Sequence, residues 1–367
     1  MLEKQYAKVK YIDFDGYERI IVLSDIHGDY DGFCGLLEQV QFAKKDALVI
    51  VGDILEKGNQ SLKLLRAVMQ YMENGNVFMA AGNNDIIFSQ WYEGDITEEE
   101  VLWYVNSRKN NNSVLIEMAN ELQMEYKTAE EIRALKMAIK NAFRKELQFL
   151  QELPDILESP IATFVHAGIQ PGDLDNQPYS YCLTAPAFAD QTHRFEKPVI
   201  VGHWPVSNYR DDIINANPYI NEKTNVISMD GGNSMKLWRQ INYLILSKDG
   251  TILQTGYYDN LPKVKALENQ AETQNPIALT FPNTMIEIKN QSEKNSLCYV
   301  PHIDQELIVD NEHIYEYKRK MYCYDFTTYD LPVTSGDVLS LCEKTENGIL
   351  AKRNGVVGHY KGKYEML

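Results

Sequence analysis

Six residues in this chain combine metal-ligating chemistry with a repeated position: each stands just past a short apolar run. The run "RIIVLS" leads to Asp25 and His27, "ALVIV" to Asp53, and "NVFMAA" to Asn83. Farther along, "IATFV" leads to His166 and "PVIV" to His203. Carboxylate, carboxamide and imidazole groups without sulfur suit manganese, iron or zinc better than copper or an iron–sulfur cluster. Six side chains exceed what one catalytic ion takes. They fit two cations about 3.5–4 Å apart that share one carboxylate, an arrangement that activates water and polarises a carbonyl or phosphoryl oxygen.

The runs that deliver these residues are short and rich in Val and Ile, as central strands are. "NVISM" at 225–229 is a further strand of this kind. Between the first three runs, "DGFCGLLEQVQFA" and "NQSLKLLRAVMQYMENG" carry helical apolar spacing, with Gly75 as a stop. Strand–helix–strand–helix–strand predicts right-handed parallel crossovers. Ligands of open α/β sheets bind beyond the carboxyl ends of the strands, so one sheet edge gathers the six residues. Asp25 and His27, two apart, point the same way if their segment is extended.

Residues 90–158 contain no strand-like run and predict a helical insertion, with Thr128 and Glu131 spaced as a capping box. A hairpin is expected over 241–258, turning at Lys248-Asp249-Gly250. The polar stretch 259–295 reads as a connection. Residues 296–367 read as short strands, with Asn347-Gly348 and Asn354-Gly355 at hairpin spacing, and predict a small SH3-like β-barrel.

The totals narrow the partners. Apolar residues make up 44% and charged residues 24%, as in soluble globular proteins. The 36 Lys and Arg against 52 Asp and Glu leave a net charge of −16, which argues against nucleic acid or an anionic membrane as main partner. A small phosphorylated substrate is compatible, because cations in a pocket reverse the local sign. The five cysteines have no CxxC spacing and are expected as reduced thiols. With no signal-like N-terminus and no apolar window of about 20 residues, a cytoplasmic protein is expected. The oligomeric state is left open.

The ordered motifs SDIHG, GDILEKG, GNND, HAG and GHWP resemble those of the calcineurin-like metallophosphoesterases. They are most similar to the phosphoprotein phosphatase branch, with its GDxHG, GDxxDRG, GNHE and HGG pattern and a later His. The resemblance covers roughly residues 18–88 and 148–245. It implies an α/β fold, a four-layer αββα sandwich, with a catalytic domain over 1–258 that contains the insertion. It also implies two divalent transition metals, manganese before iron or zinc. Asp25, His27 and Asp53 would surround the first, and Asn83, His166 and His203 the second, with Asp53 bridging.

The chain departs from the family at three positions. Asn84 stands where a proton-donating His is usual, and Glu56 and Lys57 stand where Asp and Arg are usual. Lys57 can still neutralise a phosphate, without the bidentate fork of Arg. Asn84 offers hydrogen bonds only, to a non-bridging or leaving oxygen. A weakly basic leaving group tolerates that, or Asp85, His193 or a residue of the helical insertion supplies the proton. Arg194, Arg210 and Trp204 are candidate substrate contacts. The expected function is hydrolysis of phosphate esters or anhydrides, on a phosphorylated small molecule, nucleotide or phosphopeptide. The alternative is a low-activity pseudo-phosphatase, a scaffold that binds metal and phospho-ligand and recruits through its C-terminal β-domain.

Overall fold

The computed structural model describes residues 6–107 and 112–367. Two compact units are present: residues 1–206 with 217–260, and residues 207–216 with 261–367.

In the first unit, β1 (Val9–Tyr11) is followed by β2 (Arg19–Leu23), α1 (Tyr30–Gln39), β3 (Asp46–Val51), α2 (Ser61–Glu73) and β4 (Val77–Ala80). The helical stretch follows as α3 (Ile87–Glu93), α4 (Glu98–Ser107), α5 (Val114–Glu121), α6 (Ala129–Ala142) and α7 (Arg144–Glu152). Part of this insertion, residues 108–111, lies outside the described residues. The chain continues through β5 (Ile156–Glu158), β6 (Thr163–Val165), α8 (Tyr179–Thr184), β7 (Val199–Val201), β8 (Tyr219–Asn221) and β9 (Val226–Ser228). The hairpin β10 (Ile241–Leu246) and β11 (Ile252–Tyr258) closes the unit.

These strands form two sheets. One has the order β11-β10-β2-β3-β4, with β2, β3 and β4 parallel as the crossover pattern requires. The other has the order β1-β5-β6-β7-β9-β8. Strand alternation then divides the apolar residues between two cores. Ile20, Val22, Val49 and Val51 face the second sheet and pack with Phe164, Ile200 and Ile227. Ile21, Leu23, Leu48 and Ile50 point the other way, to Phe33 of α1, Leu65 of α2 and Ile132 of α6. Outside the second sheet, the 3-10 turn Phe188–Asp190 packs on β9. Local signals agree with this layout. Asp29 caps α1 by accepting the Gly32 N–H at 2.8 Å, and Thr128 and Glu131 make a reciprocal capping box at α6.

The second unit has its own cores. One five-stranded sheet joins β12 (Lys263–Ala266), β20 (Val338–Thr345), β21 (Gly348–Arg353), β22 (Val356–Tyr360) and β23 (Tyr364–Met366). Another joins β14 (Met285–Gln291), β15 (Asn295–Val300), β16 (Gln305–Asp310), β17 (Ile314–Tyr317) and β18 (Lys320–Cys323). The short pair β13 (Ala278–Leu279) and β19 (Phe326–Thr327) completes the unit. Both Asn-Gly pairs turn hairpins, between β20 and β21 and between β21 and β22.

Three expectations change here. The predicted helical insertion 90–158 ends in a strand, β5, whose Ile156 and Leu157 are buried. The stretch 259–295 is no bare connection: it holds β12, β13 and β14, whose Val264, Leu279 and Ile286 are buried while polar neighbours mask them in the composition. The C-terminal region is β-rich, but among the described residues its strands form two five-stranded open sheets and a two-stranded pair, and no closed barrel. Residues 207–216 also leave the first unit for the second, where Ala216 N–H bonds to the Gly355 carbonyl at 2.9 Å.

Candidate metal centre

Residues from five strand ends of the first unit meet at one place. Asp25 and His27 follow β2, Asp53 follows β3, Asn83 follows β4, His166 follows β6 and His203 follows β7. Asp25 and His27 are not extended, as their spacing first suggests. Both adopt left-handed backbone, φ 51° and 50°, as do Asp53 at 55° and His203 at 65°. Side chains with β-carbons avoid this region, so the surrounding packing must hold them there. Part of that packing is glycine. At Gly52, itself at φ 78°, a Cβ would lie 2.7 Å from both Gly82 Cα and His166 Nδ1. At Gly202 it would lie 2.1 Å from Asp25 Oδ2.

Asp53 lies close to residues of both predicted sets. His27 Nε2 is 3.8 Å from Asp53 Oδ2 and 3.8 Å from Asp25 Oδ1. On the other side, His166 Nε2 is 3.4 Å from Asp53 Oδ2 and 3.0 Å from Asn83 Oδ1. His203 Nδ1 is 2.9 Å from the same Asn83 oxygen. Ring orientation is set from behind. His27 Nδ1 lies 3.2 Å from the Leu55 carbonyl and His166 Nδ1 3.1 Å from the Val51 carbonyl, so each N–H donates backwards and leaves Nε2 facing the cluster. His203 N–H donates to Asp25 Oδ2 at 3.1 Å.

The residues fit a pair of divalent cations. Only oxygen and nitrogen donors are present, and donor atoms of Asp25, Asp53 and His166 lie within 4.8 Å of one another. Electrostatics agree. Burial pushes the Asp25 carboxyl well above the usual range, and Asp230 adds to the effect. Burial also acts upward on Asp53, but the facing His166 outweighs it and holds the carboxyl low. Burial works against a charged His166, yet Asp53 and Asp25 raise it to about 10. His27 falls to about 3 through burial and Lys57, and His203 to about 4 through burial and His166. Positive charge therefore collects beside Asp53, where a cation would sit.

The remaining predicted residues separate. Lys57 reaches the cluster: its Nζ is 3.4 Å from His27 Nε2 and 2.9 Å from Met235 Sδ. Asn84 does not project toward a substrate oxygen. The tight turn that bonds Asp85 N–H to the Gly82 carbonyl aims Asn84 at Asp53 instead. Its backbone N–H meets Oδ1 at 2.8 Å and its Nδ2 meets Oδ2 at 2.6 Å.

Glu56 is held by residues of the insertion. It is fully buried at the start of α5, accepting the Val114 N–H at 2.9 Å, the Ser113 hydroxyl at 3.2 Å and the Tyr104 hydroxyl. There the helix N-terminus favours its negative charge. Asp85 is held by backbone N–H groups. Its oxygens accept the N–H groups of Asp53, Ile54, Leu55 and Gly82 at 2.8, 3.1, 3.2 and 2.9 Å. Burial and the charge of Asp53 push its carboxyl up to about 7.

Trp204 is half-buried next to His203, its N–H on the Gly202 carbonyl at 2.7 Å. Arg194 is not brought to the cluster. It lies ahead of β7, donating to the carbonyls of Glu222 and Lys223, and lines a cavity of about 420 Å³ with Pro198 and Ile220. Arg210 belongs to the second unit, paired with Asp212 at 3.3 Å. His193 is exposed against Phe195, ring centroids 4.9 Å apart. The sequence reading passed over two residues. Asn233 Nδ2 donates to the Ile26 carbonyl at 2.8 Å and steadies the loop of Asp25 and His27. Asp230 follows β9 as the ligands follow their strands, so the Asp-Gly-Gly after "NVISM" carried the same signal.

Comparison with known proteins places the chain. The family model for calcineurin-like phosphoesterases matches residues 18–207, over half of the sequence. The chain belongs to the calcineurin-like phosphoesterase family. A symmetrical bis(5'-nucleosyl)-tetraphosphatase of Wigglesworthia glossinidia brevipalpis is 38% identical over 66 residues, 18% of this chain and 24% of that one. The asymmetrical bis(5'-nucleosyl)-tetraphosphatase PrpE of Bacillus velezensis is 26% identical over 165 residues, 42% of this chain and 57% of that one. The chain thus spans between about a quarter and just over half of these relatives. Among solved structures, a candidate diadenosine tetraphosphatase aligns over 70% of this chain and 100% of its own, with 19% identity and a TM-score of 0.46. Among the described residues, no helix is long and apolar enough to cross a membrane.

Proposed function

We propose that this chain hydrolyses phosphoanhydrides or esters with weakly basic leaving groups, using two divalent cations, with dinucleoside polyphosphates as the substrate class. The observation that carries it is Asp53, whose carboxylate lies between His27 on one side and His166 on the other. Asp25, His27 and Asp53 would hold the first cation, and Asp53, Asn83, His166 and His203 the second. Manganese is the proposed occupant, iron or zinc being compatible with the same donors. Cations bound there supply Lewis acidity and a nucleophile from water at neutral pH.

The chain's own residues define the rest. Asn84 holds Asp53 through two hydrogen bonds, which fixes the shared carboxylate in one orientation. Lys57, beside His27, offsets charge that develops on the transferred phosphoryl group. Neither Asn84 nor Asp85 stands as a free proton donor. General acid catalysis contributes roughly 10²–10⁴-fold, so this arrangement favours leaving groups that need no proton, such as a nucleoside phosphate. The similar bis(5'-nucleosyl)-tetraphosphatases are named for substrates with leaving groups of that kind. The reading includes a catalytic domain built as a four-layer αββα sandwich and a cytoplasmic location.

The test is hydrolysis by Mn²⁺-loaded protein of a dinucleoside tetraphosphate, p-nitrophenyl phosphate and a simple alkyl phosphate. Turnover should fall in that order and vanish with chelator. Equal turnover of the alkyl phosphate would reject the leaving-group argument. Activity indifferent to chelator would reject the two-cation reading.

A further inference from the structure

We propose that Asp230 is an additional cation-holding carboxylate of this centre, acting beside Asp25; the inference rests on the two-cation reading above. Asp230 is fully buried just past β9, at the same sheet edge as His203. Two hydrogen bonds fix it. Its Oδ1 accepts the Gly232 N–H at 2.7 Å, and its carbonyl accepts the Val206 N–H at 2.8 Å. Its Oδ2 is buried and has no hydrogen-bond partner. Leaving a buried charged acceptor unsatisfied is among the costlier arrangements in a protein interior, so the oxygen has a partner still to come.

Asp85 makes the contrast. It too is a buried aspartate near Asp53, but four backbone N–H groups occupy its oxygens. Nothing is left there for a cation to satisfy. Asp230 has one donor and one empty oxygen, and its field overlaps the cluster. Its charge acts on Asp25, while Lys57, Asp53 and His166 act on it. Charge balance favours the same assignment. Two divalent cations against Asp25 and Asp53 leave a surplus of two positive charges, and a third carboxylate halves it. The turn that presents Asp230 needs its glycines: a Cβ at Gly231 would lie 2.3 Å from the Gln240 carbonyl oxygen, and Gly232 sits at φ 71°.

The experiment measures Mn²⁺ binding to the full chain, stripped with chelator, by the loss of the free Mn²⁺ electron paramagnetic resonance signal. Thermal melting in chelator is recorded on the same samples. Wild type should bind two Mn²⁺. Asp230→Asn keeps the Oδ1 acceptor and removes only the charge. It should bind one of the two ions at least about tenfold more weakly while melting, without metal, no lower than wild type. Asp230→Ser, smaller and also uncharged, should show the same loss. Wild-type affinities in both variants would overturn the inference alone. A lower melting temperature of metal-free Asp230→Asn, or failure to fold, would also overturn it, because the role would then be structural. Wild type that takes up no Mn²⁺ would remove the two-cation reading and this assignment together.

Discussion

The two units differ in how much charge they bury: the first gathers it at one place, while the second buries Lys352 among apolar strands. In the first, Asp25, His27, Asp53, Asp85, His166 and Asp230 are each at most 1% exposed and gather around the same strand ends. In the second, the cores are built from Val264, Leu339 and Ile349 in one sheet and Ile286, Cys298 and Val309 in the other. At its surface, Tyr315 stacks on Tyr324 with ring centroids 4.8 Å apart. Removing carboxylates from water costs several kcal/mol each unless donors or cations replace the lost hydration. Where a chain concentrates that cost, something must offset it. In the first unit the offsets are backbone N–H groups, imidazoles and, on the reading above, cations.

The contrast predicts where substitutions hurt. The largest effect is expected at Asp53, which both groups of ligands share. Asp53→Asn should weaken Mn²⁺ binding by more than about a hundredfold and abolish hydrolysis, as followed by metal analysis after dialysis and by turnover. Near wild-type metal content would mean that Asp53 is not the shared ligand. Asp85→Ala comes next, and its effect falls on stability. Four N–H groups lose their acceptor, which should cost about 3 kcal/mol or more in denaturant unfolding of the metal-free protein. A smaller loss would show that water can replace this carboxylate.

How legible these residues were depended on whether their role lies in local pattern. The meeting of the six strand-end residues was readable because each follows an apolar run that can only be a strand, and parallel topology brings such ends together. Asn83 followed "NVFMAA" and stands where that pattern puts it. Asn84 was not readable in the same way. Its direction depends on a turn closed by Asp85 and on the position of Asp53, thirty-one residues away. The setting of Glu56 was not readable because its partners, Tyr104 and Val114, come from the insertion, and no local spacing announces them. Arg194 and Arg210 are close in sequence to His203, a poor guide when one precedes a strand and the other lies in another unit. The C-terminal strands were legible from their Asn-Gly turns. Their division into separate sheets depends on long-range pairing that turn residues do not specify.

Effects of middle size are expected behind the metal-facing residues. Tyr104→Phe removes one donor from buried Glu56 and should lower stability by about 1–3 kcal/mol, with Mn²⁺ affinity unchanged. Weakened metal binding would mean that the insertion reaches the centre through Glu56. Proton coupling is the next measure. At pH 8 His166, raised to about 10, carries a proton, while His27 at about 3 and His203 at about 4 are neutral. A metal ligand must be neutral imidazole, so binding displaces the His166 proton. Affinity should therefore rise about tenfold per pH unit as pH increases below that value, and fall as pH decreases. Calorimetry in buffers of different ionisation enthalpy would count at least one proton released. Binding without release would place the proton elsewhere.

The smallest effect is expected in the second unit, and it tests the contrast from the other side. Tyr324 is 58% exposed and stacks on Tyr315. Replacing it with Ser removes one aromatic contact at the surface, worth about 0.5–1.5 kcal/mol. Because no buried charge depends on that contact, Mn²⁺ affinity and turnover of a dinucleoside tetraphosphate should match wild type within error. A change in KM with kcat unchanged would mean that this tyrosine face helps hold the substrate, and the division of labour between the units would fail there. A change in kcat would be the more serious result, since it would require the second unit to influence the reacting phosphoryl group itself.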